Sequence, residues 1–341
     1  MDYSIINNDN VAYLTQLPDN SIDAVITDPP YGIEFLGKDW DTNTGAVRCW
    51  QECLRVLKPG GYLLAFSAAR TYHQLASNIE QSGFQIRDQI MWLYATGFPK
   101  AQKIKGHDGW KTQLKPAHEP IVMARKPVIG AQYKNVDKWG VGALNIDASR
   151  IPTDDVRSGG ANGMSRLTFG EGETSNEDSF KSYTPSDEGR FPTNVIGEVE
   201  GYQKYFYSPK VTREERNIGC EERQAKPLFE ARHQDAKALG SWADKRDQKH
   251  KNNHPTVKPV ALMRYLIQLV TPANSHVLDP FCGSGSTGMA ATELGHKFTG
   301  IELDANYCDI ALRRIEAWHK LQDKNNYNKL FEERQNETTG T

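Results

Sequence analysis

Apolar residues in the first part of the chain fall into short runs that alternate with segments of helical spacing. Such runs, four to eight residues long, are typical of buried strands, whereas an apolar stripe every three to four residues is typical of a helix. The predicted strands are Tyr3–Ile6, Ile22–Thr27, Tyr62–Phe66, Gln89–Tyr94 and Pro120–Ala124. The predicted helices are Cys49–Leu57, which Lys58-Pro59-Gly60-Gly61 should end, and Thr71–Glu80.

The same alternation returns near the end of the chain. It predicts helices over Val260–Val270, Ser286–Leu294 and Ala305–His319, and strands over Val277–Phe281 and Lys297–Ile301. The last twenty residues are polar and are expected to fray. Alternating strands and helices predict an α/β fold with a mostly parallel, doubly wound sheet that has helices on both faces.

Between about residues 151 and 251 this regular pattern fades. Residues 157–189 are rich in Gly, Ser, Thr, Asp and Glu and poor in apolar residues, so we expect a flexible loop there. The chain therefore divides into a first core half at 1–127, an inserted region at 128–251, a second core half at 252–320 and a polar tail at 321–341.

Composition narrows the class of protein. The 341 residues contain no apolar run long enough to span a membrane, and the first residues do not resemble a secretion signal. Five scattered cysteines without a Cys-x-x-Cys pair favour reduced thiols in the cytoplasm, with neither a disulfide framework nor a metal site. The net charge is −2, but residues 97–138 carry +6 and residues 210–258 carry +4. Either stretch suits nucleic acid or ordinary solvated surface.

A glycine-rich turn follows the predicted strand that begins at Val277. Gly283, Gly285 and Gly288 satisfy G-x-G-x-x-G, and Glu302 ends the next strand 19 residues after Gly283. Glycine lets the backbone approach a ligand closely, and a carboxylate at this position can bind ribose hydroxyls. This combination predicts a site for a nucleoside cofactor and leaves the choice between cofactors open.

A second motif, Asp28-Pro29-Pro30-Tyr31, ends the strand Ile22–Thr27. The prolines fix the backbone and remove donors while keeping the carbonyl acceptors. An amine with two protons needs two acceptors, and a base extruded from a duplex needs a stacking surface. The carboxylate, the carbonyls and the aromatic ring of this tetrad meet both needs.

The tetrad ahead of the glycine loop resembles the order found in β-class amino-methyltransferases of DNA. Supporting elements are His254-Pro255-Thr256-Val257-Lys258-Pro259, Pro18–Asp23 and Glu52–Gly61. The resemblance covers residues 1–127 and 252–318. Gly97–Lys100 and Leu144–Asp147 are similar to phage and prophage members.

This resemblance implies a Rossmann-like, S-adenosylmethionine-dependent methyltransferase fold. Residues 1–127 would be its catalytic half, residues 128–251 a target-recognition region and residues 252–320 its cofactor-binding half. The implied substrate is double-stranded DNA with a flipped base, in a bacterial or phage-infected cell. The sequence leaves open whether the chain forms a homodimer and whether a restriction enzyme accompanies it.

The resemblance also implies roles for individual residues. Asp28 and the Pro29 carbonyl would accept from the target amine, Pro30 would shape the turn, and Tyr31 would stack on the base. The expected cofactor-binding residues are Asp9, Thr256, Lys258, Asp279, Phe281, Gly283, Ser284, Gly285, Thr287 and Glu302. Within this set, Asp9 would approach the adenine of the cofactor, Glu302 its ribose, and Thr256 and Lys258 its methionine end.

Several alternatives remain at this stage. Asp as the first tetrad residue favours N6 of adenine over N4 of cytosine, where the resembling family often has Ser. Methylation of RNA or of a protein glutamine would not explain the large insert, and a nicotinamide-dependent oxidoreductase would leave the tetrad unexplained. A catalytically dead DNA-binding protein would not need an intact Asp28 and Tyr31.

Overall fold

An eight-stranded sheet forms the centre of the computed structural model, which describes residues 2–33, 41, 43–94, 101–114, 116–152, 189–197, 211–227 and 249–339. The strands are β1 (Tyr3–Asn7), β2 (Ile22–Thr27), β3 (Leu57–Phe66), β4 (Gln85–Leu93), β5 (His118–Arg125), β6 (Val195–Gly197), β7 (Lys226–Pro227), β8 (Lys249–His250), β9 (His276–Asp279) and β10 (Lys297–Glu302). The helices are α1 (Asn10–Leu14), α2 (Val47–Val56), α3 (Tyr72–Gln81), α4 (Gln132–Trp139), α5 (Arg213–Asn217), α6 (Val260–Val270), α7 (Ser286–Glu293) and α8 (Ala305–Thr339).

The strand order in the large sheet is β1-β10-β9-β2-β3-β5-β4-β6, and β7 pairs with β8 separately. Within this sheet β5 runs antiparallel to its neighbours β3 and β4, and the other pairs are parallel. The two strands that precede the predicted motifs, β2 and β9, are adjacent, with Ala24 beside Val277 and Val25 beside Leu278. Their carboxyl ends therefore open at the same edge, where the strand order reverses and where open α/β sheets bind ligands.

Helices cover both faces of the sheet. On one face the apolar side chains of α6, α7 and α8, including Ile267, Met289 and Ile315, pack against the sheet. On the other face α2 and α3 contribute Trp50 and Ile79 to a second cluster. The predicted doubly wound architecture is confirmed. None of the helices in the described ranges is both long enough and apolar enough to cross a membrane.

Most predicted elements recur, and β2 and α6 have the predicted bounds. The helix α2 ends at Val56, just before residues 58–61, as predicted, but β3 begins at Leu57 and not at Tyr62. The segment pairs with the end of β5: Gly60 N donates to Lys126 O (3.1 Å) and Lys126 N donates to Gly61 O (2.9 Å). Gly60 has φ 84°, a backbone angle that favours glycine, and it lies in a distorted part of the strand.

The C-terminal helix also differs from the prediction. It was expected to end at His319, but α8 continues to Thr339. Residues 320–339 are polar but contain neither Gly nor Pro, and the next glycine is Gly340. The segment therefore lacks the residues that commonly terminate a helix.

The inserted region is only partly described. Its residues 195–197 form β6, which joins the edge of the large sheet beside β4. The predicted flexible loop, apart from Gly189, and residues Gly97–Lys100 lie outside the described residues.

Candidate active site

The glycine-rich turn is fixed by a carboxylate from the neighbouring strand. Glu302 Oε2 accepts from Gly283 N (2.9 Å), and Glu302 Oε1 accepts from Asp304 N (2.8 Å). Gly283 has φ 53°, and a Cβ there would lie 2.8 Å from His254 Nε2. Burial raises the pKa of Glu302, and the two backbone donors oppose this shift. Each carboxylate oxygen still has a lone pair that could accept a ligand hydroxyl.

Three other predicted cofactor residues are bonded inside the protein. Asp279 is buried and accepts from Thr27 Oγ1 (2.7 Å), Phe281 N (3.1 Å) and Thr287 Oγ1 (2.6 Å). Burial raises the pKa of Asp279 to about 6 against these donors. Ser284 is buried as well, and its hydroxyl accepts from a guanidinium. The side chains of Asp279, Thr287 and Ser284 therefore stabilise the loop from below.

The guanidinium under the loop belongs to Arg314 of α8, which sequence reasoning missed. It is fully buried and donates to Ser284 O (2.5 Å), Ser284 Oγ (3.1 Å) and Glu215 O (3.1 Å). Burial lowers its pKa to about 10, so the group stays charged at neutral pH. An arginine on a predicted amphipathic helix gives no sequence signal for this position.

The tetrad lies at the same edge of the sheet, after β2. The Tyr31 hydroxyl donates toward Asp28 Oδ1 (2.8 Å) and toward Glu119 Oε2 (2.9 Å). The ammonium of Lys258 donates to Asp28 Oδ2 (2.5 Å) and to the Tyr31 oxygen (3.1 Å), and it lies 3.3 Å from Glu119 Oε2. Two carboxylates, one ammonium and one phenol thus form a single polar cluster, which we call the tetrad cluster (Asp28, Tyr31, Glu119 and Lys258).

Charges inside this cluster shift two pKa values. Burial alone would lower the pKa of Lys258, but Asp28 and Glu119 outweigh burial and raise it. Burial and the same two carboxylates raise the pKa of Tyr31 well above its ordinary value. At neutral pH Lys258 is therefore a cation and Tyr31 a neutral phenol.

The backbone of the tetrad is held by a second residue that sequence reasoning missed. Buried Asp41 accepts from Tyr31 N (2.5 Å) and Gly32 N (3.0 Å). Asp41 follows no recognisable motif, so the sequence gives no signal for it. Glu119 does carry a weak signal, because it directly precedes the predicted strand that begins at Pro120.

The remaining predicted site residues have contacts of their own. Asp9 caps α1 by accepting from Ala12 N (2.9 Å). The Phe281 ring lies 5.8 Å from the ring of Trp50. The Thr256 carbonyl contacts His254 Nδ1, and the His254 ring, whose pKa burial lowers to about 4, packs beside the glycine loop. Lys258 contacts the tetrad, so its predicted contact with the methionine end stays a prediction.

Known DNA methyltransferases are similar to this chain over most of its length. A family model described as DNA methylase, of the N6 and N4 methyltransferases, matches residues 22–313. The chain is similar to the type II methyltransferase M.HindIII of Haemophilus influenzae, with 25% identity over 95% of this chain and 98% of the relative. It is also similar to the type II methyltransferase M.HpaI of Haemophilus parainfluenzae, with 25% identity over 93% of this chain and 75% of the relative.

Among solved structures, the chain is similar to the PvuII DNA methyltransferase (cytosine-N4-specific), with 14% identity, a TM-score of 0.52, and coverage of 95% of this chain and 92% of that one. At this identity the likeness concerns the fold. The family match, by contrast, extends across both halves of the core, from the strand before the tetrad to the helix after Glu302. The chain therefore belongs to the DNA methylase family of N6 and N4 amino-methyltransferases.

Proposed function

We propose that this protein transfers a methyl group from S-adenosylmethionine to N6 of adenine in double-stranded DNA. One observation carries the proposal: the tetrad and the glycine loop follow adjacent parallel strands and open at one edge of the sheet. A buried hydrogen bond from Thr27 to Asp279 (2.7 Å) joins the two strand ends directly. This arrangement can place a nucleoside cofactor beside a group that accepts an amine.

The loop residues fit such a cofactor. Gly283 and Gly285 adopt positive φ, which leaves backbone without side chains at the turn, and Glu302 retains lone pairs for ribose hydroxyls. Phe281 is half-buried at the start of the loop and can pack against the cofactor. When bound, the cofactor supplies an already activated methyl group on its sulfonium, so the chain has to orient the groups and stabilise charge.

The tetrad would perform that orientation. Asp28 and the Pro29 carbonyl would accept hydrogen bonds from the two N–H groups of the exocyclic amine. These bonds would localise the lone pair on the nitrogen and aim it at the methyl group of the cofactor. Tyr31 would stack on the base after it leaves the duplex, a step that costs a few kcal/mol. As methyl transfer develops positive charge on the amine, the carboxylate of Asp28 would stabilise it.

Adenine is the proposed base because the first tetrad residue is a carboxylate, Asp28. The alternative is N4 of cytosine, which the same family methylates and which presents a similar amine. Opening an A·T pair costs less than opening a G·C pair, which adds slight support for adenine.

An exposed arm, residues 101–114, supports duplex DNA as the substrate. It follows β4 and precedes β5, and Lys103 pairs with Lys111 across it as a short antiparallel bridge. Trp110 is 72% exposed and Leu114 is 91% exposed. Because β4 ends and β5 begins at the edge where β2 ends, we propose that the arm contacts DNA beside the tetrad, with lysines on phosphates and Trp110 on bases. We further propose that residues 128–251 read the target sequence.

The base is tested by methylating DNA in vitro and analysing its nucleosides by mass spectrometry. The proposal predicts N6-methyladenine that depends on both the enzyme and S-adenosylmethionine. N4-methylcytosine in place of N6-methyladenine would overturn the choice of base and leave the family assignment intact.

A further inference from the structure

Glu119 contacts Tyr31 and Lys258, the two residues of the tetrad cluster that also donate hydrogen bonds to Asp28. Its Oε2 lies 2.9 Å from the Tyr31 hydroxyl and 3.3 Å from the Lys258 ammonium. The side chain of Lys258 is 7% exposed and that of Glu119 is 22% exposed, so the contacts form with little water present. In such an environment a lost hydrogen-bond partner is not replaced by solvent.

The Tyr31 hydroxyl has one proton but two carboxylate acceptors at almost equal distances, 2.8 Å to Asp28 and 2.9 Å to Glu119. A phenol donates one hydrogen bond, so it can bond fully to only one carboxylate at a time. Lys258 donates to the same phenol oxygen (3.1 Å), and this bond can form whichever carboxylate accepts the phenol hydrogen. The phenol can therefore change its acceptor by rotating its hydrogen, without losing a partner.

In the structure both oxygens of Asp28 are engaged, Oδ1 by Tyr31 and Oδ2 by Lys258. An incoming amine competes directly with the Tyr31 hydroxyl for Oδ1. Lys258 is likewise shared, because Glu119 gives its ammonium a second counter-ion. A carboxylate neutralised by one lysine alone would be a weaker acceptor than one that shares the lysine.

We propose that Glu119 is a positioning residue that accepts the Tyr31 hydroxyl when the target amine displaces it from Asp28. This inference rests on the proposed amine-accepting role of Asp28. No proton is transferred in the exchange, since the phenol hydrogen rotates from one carboxylate to the other. Glu119 also retains part of the Lys258 charge, so that Asp28 remains a strong acceptor.

The backbone fixes Glu119 for this role. It lies at the start of β5, where it pairs with Trp92 of β4. Because β5 is antiparallel, its first residues lie at the edge where β2 and β3 end, and Ser67 N donates to Pro120 O (2.9 Å) just after β3. Burial and the nearby Glu119 carboxylate raise the pKa of Tyr94, which directly follows β4.

The test is a double-mutant cycle on single-turnover methyl transfer, using Glu119→Gln in the wild-type and Tyr31→Phe backgrounds. In the wild type, Glu119→Gln is expected to slow transfer about tenfold, the scale of one hydrogen bond to a charged group. With the hydroxyl removed by Tyr31→Phe, the same change should slow transfer several-fold less than in the wild type, because only its effect on the Lys258 charge remains. Affinity for S-adenosylmethionine and the melting temperature should match those of an exposed control, Glu80→Gln of α3.

Equal losses in both backgrounds, or no loss in the wild type, would overturn the inference. If Glu119→Gln does not fold, Glu119→Asp keeps the charge, draws the carboxylate back by one methylene and should show the same dependence on the Tyr31 hydroxyl. Failure of the proposed function would look different, because the wild-type enzyme would then leave no methylated base. If the wild type methylates DNA and the effects of Glu119→Gln and Tyr31→Phe are additive, the role of Glu119 is refuted and the proposed function is not.

Discussion

Replacing Glu302 should weaken cofactor binding strongly. The carboxylate accepts from Gly283 N (2.9 Å) and from Asp304 N (2.8 Å), and in our account its remaining lone pairs accept ribose hydroxyls. Glu302→Ala removes both the support of the loop and the ribose acceptor. Hydrogen bonds to a charged group contribute about 1.5–3 kcal/mol, which corresponds to a dissociation constant raised roughly 10- to 150-fold. Glu302→Gln should also weaken binding, because its amide turns a donor toward one of the two backbone donors.

Isothermal titration calorimetry with S-adenosylmethionine measures this change directly. The matched control is Asp304→Asn, two residues along the chain, which removes an exposed negative charge. In the wild type Asp304 Oδ1 accepts from Asn306 N (2.8 Å), and the amide oxygen of Asn can still accept this bond. The control should bind as the wild type does. Unchanged affinity in Glu302→Ala, or equal weakening in Asp304→Asn, would refute the ribose role.

Three further predictions address the loop, the arm and the site's dependence on pH. Gly283→Ala should lower the free energy of unfolding by about 1–3 kcal/mol, measured in urea, because φ is 53° and the new Cβ would lie 2.8 Å from the His254 ring; a wild-type midpoint would contradict this. Trp110→Ala should raise the KM for DNA several-fold and leave S-adenosylmethionine affinity unchanged, and an unaltered KM would remove the arm from the interface. Because the folded pKa of Asp279 is raised to about 6, folding takes up a proton and stability falls, by about 3 kcal/mol at most, as pH rises from about 4 to 6. The free energy of unfolding of the wild type should fall with pH across that range more steeply than that of Asp279→Asn. Equal dependence on pH in the two proteins would contradict the raised pKa of Asp279.

The sequence predicts the parts of the fold that depend on local pattern. The apolar run of β2 and the stripe of α6 specify their elements because every residue in the former is buried and most in the latter are. The two motifs are also predictable, since the backbone requirements of a glycine turn and of Pro29-Pro30 are local. Parallel strands present their carboxyl ends together, so the sequence places both motifs at one edge of the sheet. The adjacency of β2 and β9 is seen only in the structure.

The direction of β5 was not predictable, and Glu119 was missed for that reason. An apolar run of strand length has no sign of its direction, and the alternation of strands and helices favoured a parallel neighbour. Only an antiparallel β5 brings its first residues to the carboxyl edge of β2. The sequence also does not show the contact between Lys258 and Asp28, because 230 residues separate them along the chain.

The central claim is that Asp28 accepts the target amine and is not required to hold the cofactor. The most direct measurement uses S-adenosylmethionine with a trideuterated methyl group, mixed with excess enzyme and substrate DNA, followed by mass spectrometry of the nucleosides. The account predicts a trideuterated methyl on N6 of adenine with the wild type and none with Asp28→Ala, although the variant binds the cofactor with near-normal affinity. Transfer by Asp28→Ala at a rate close to that of the wild type would contradict the account.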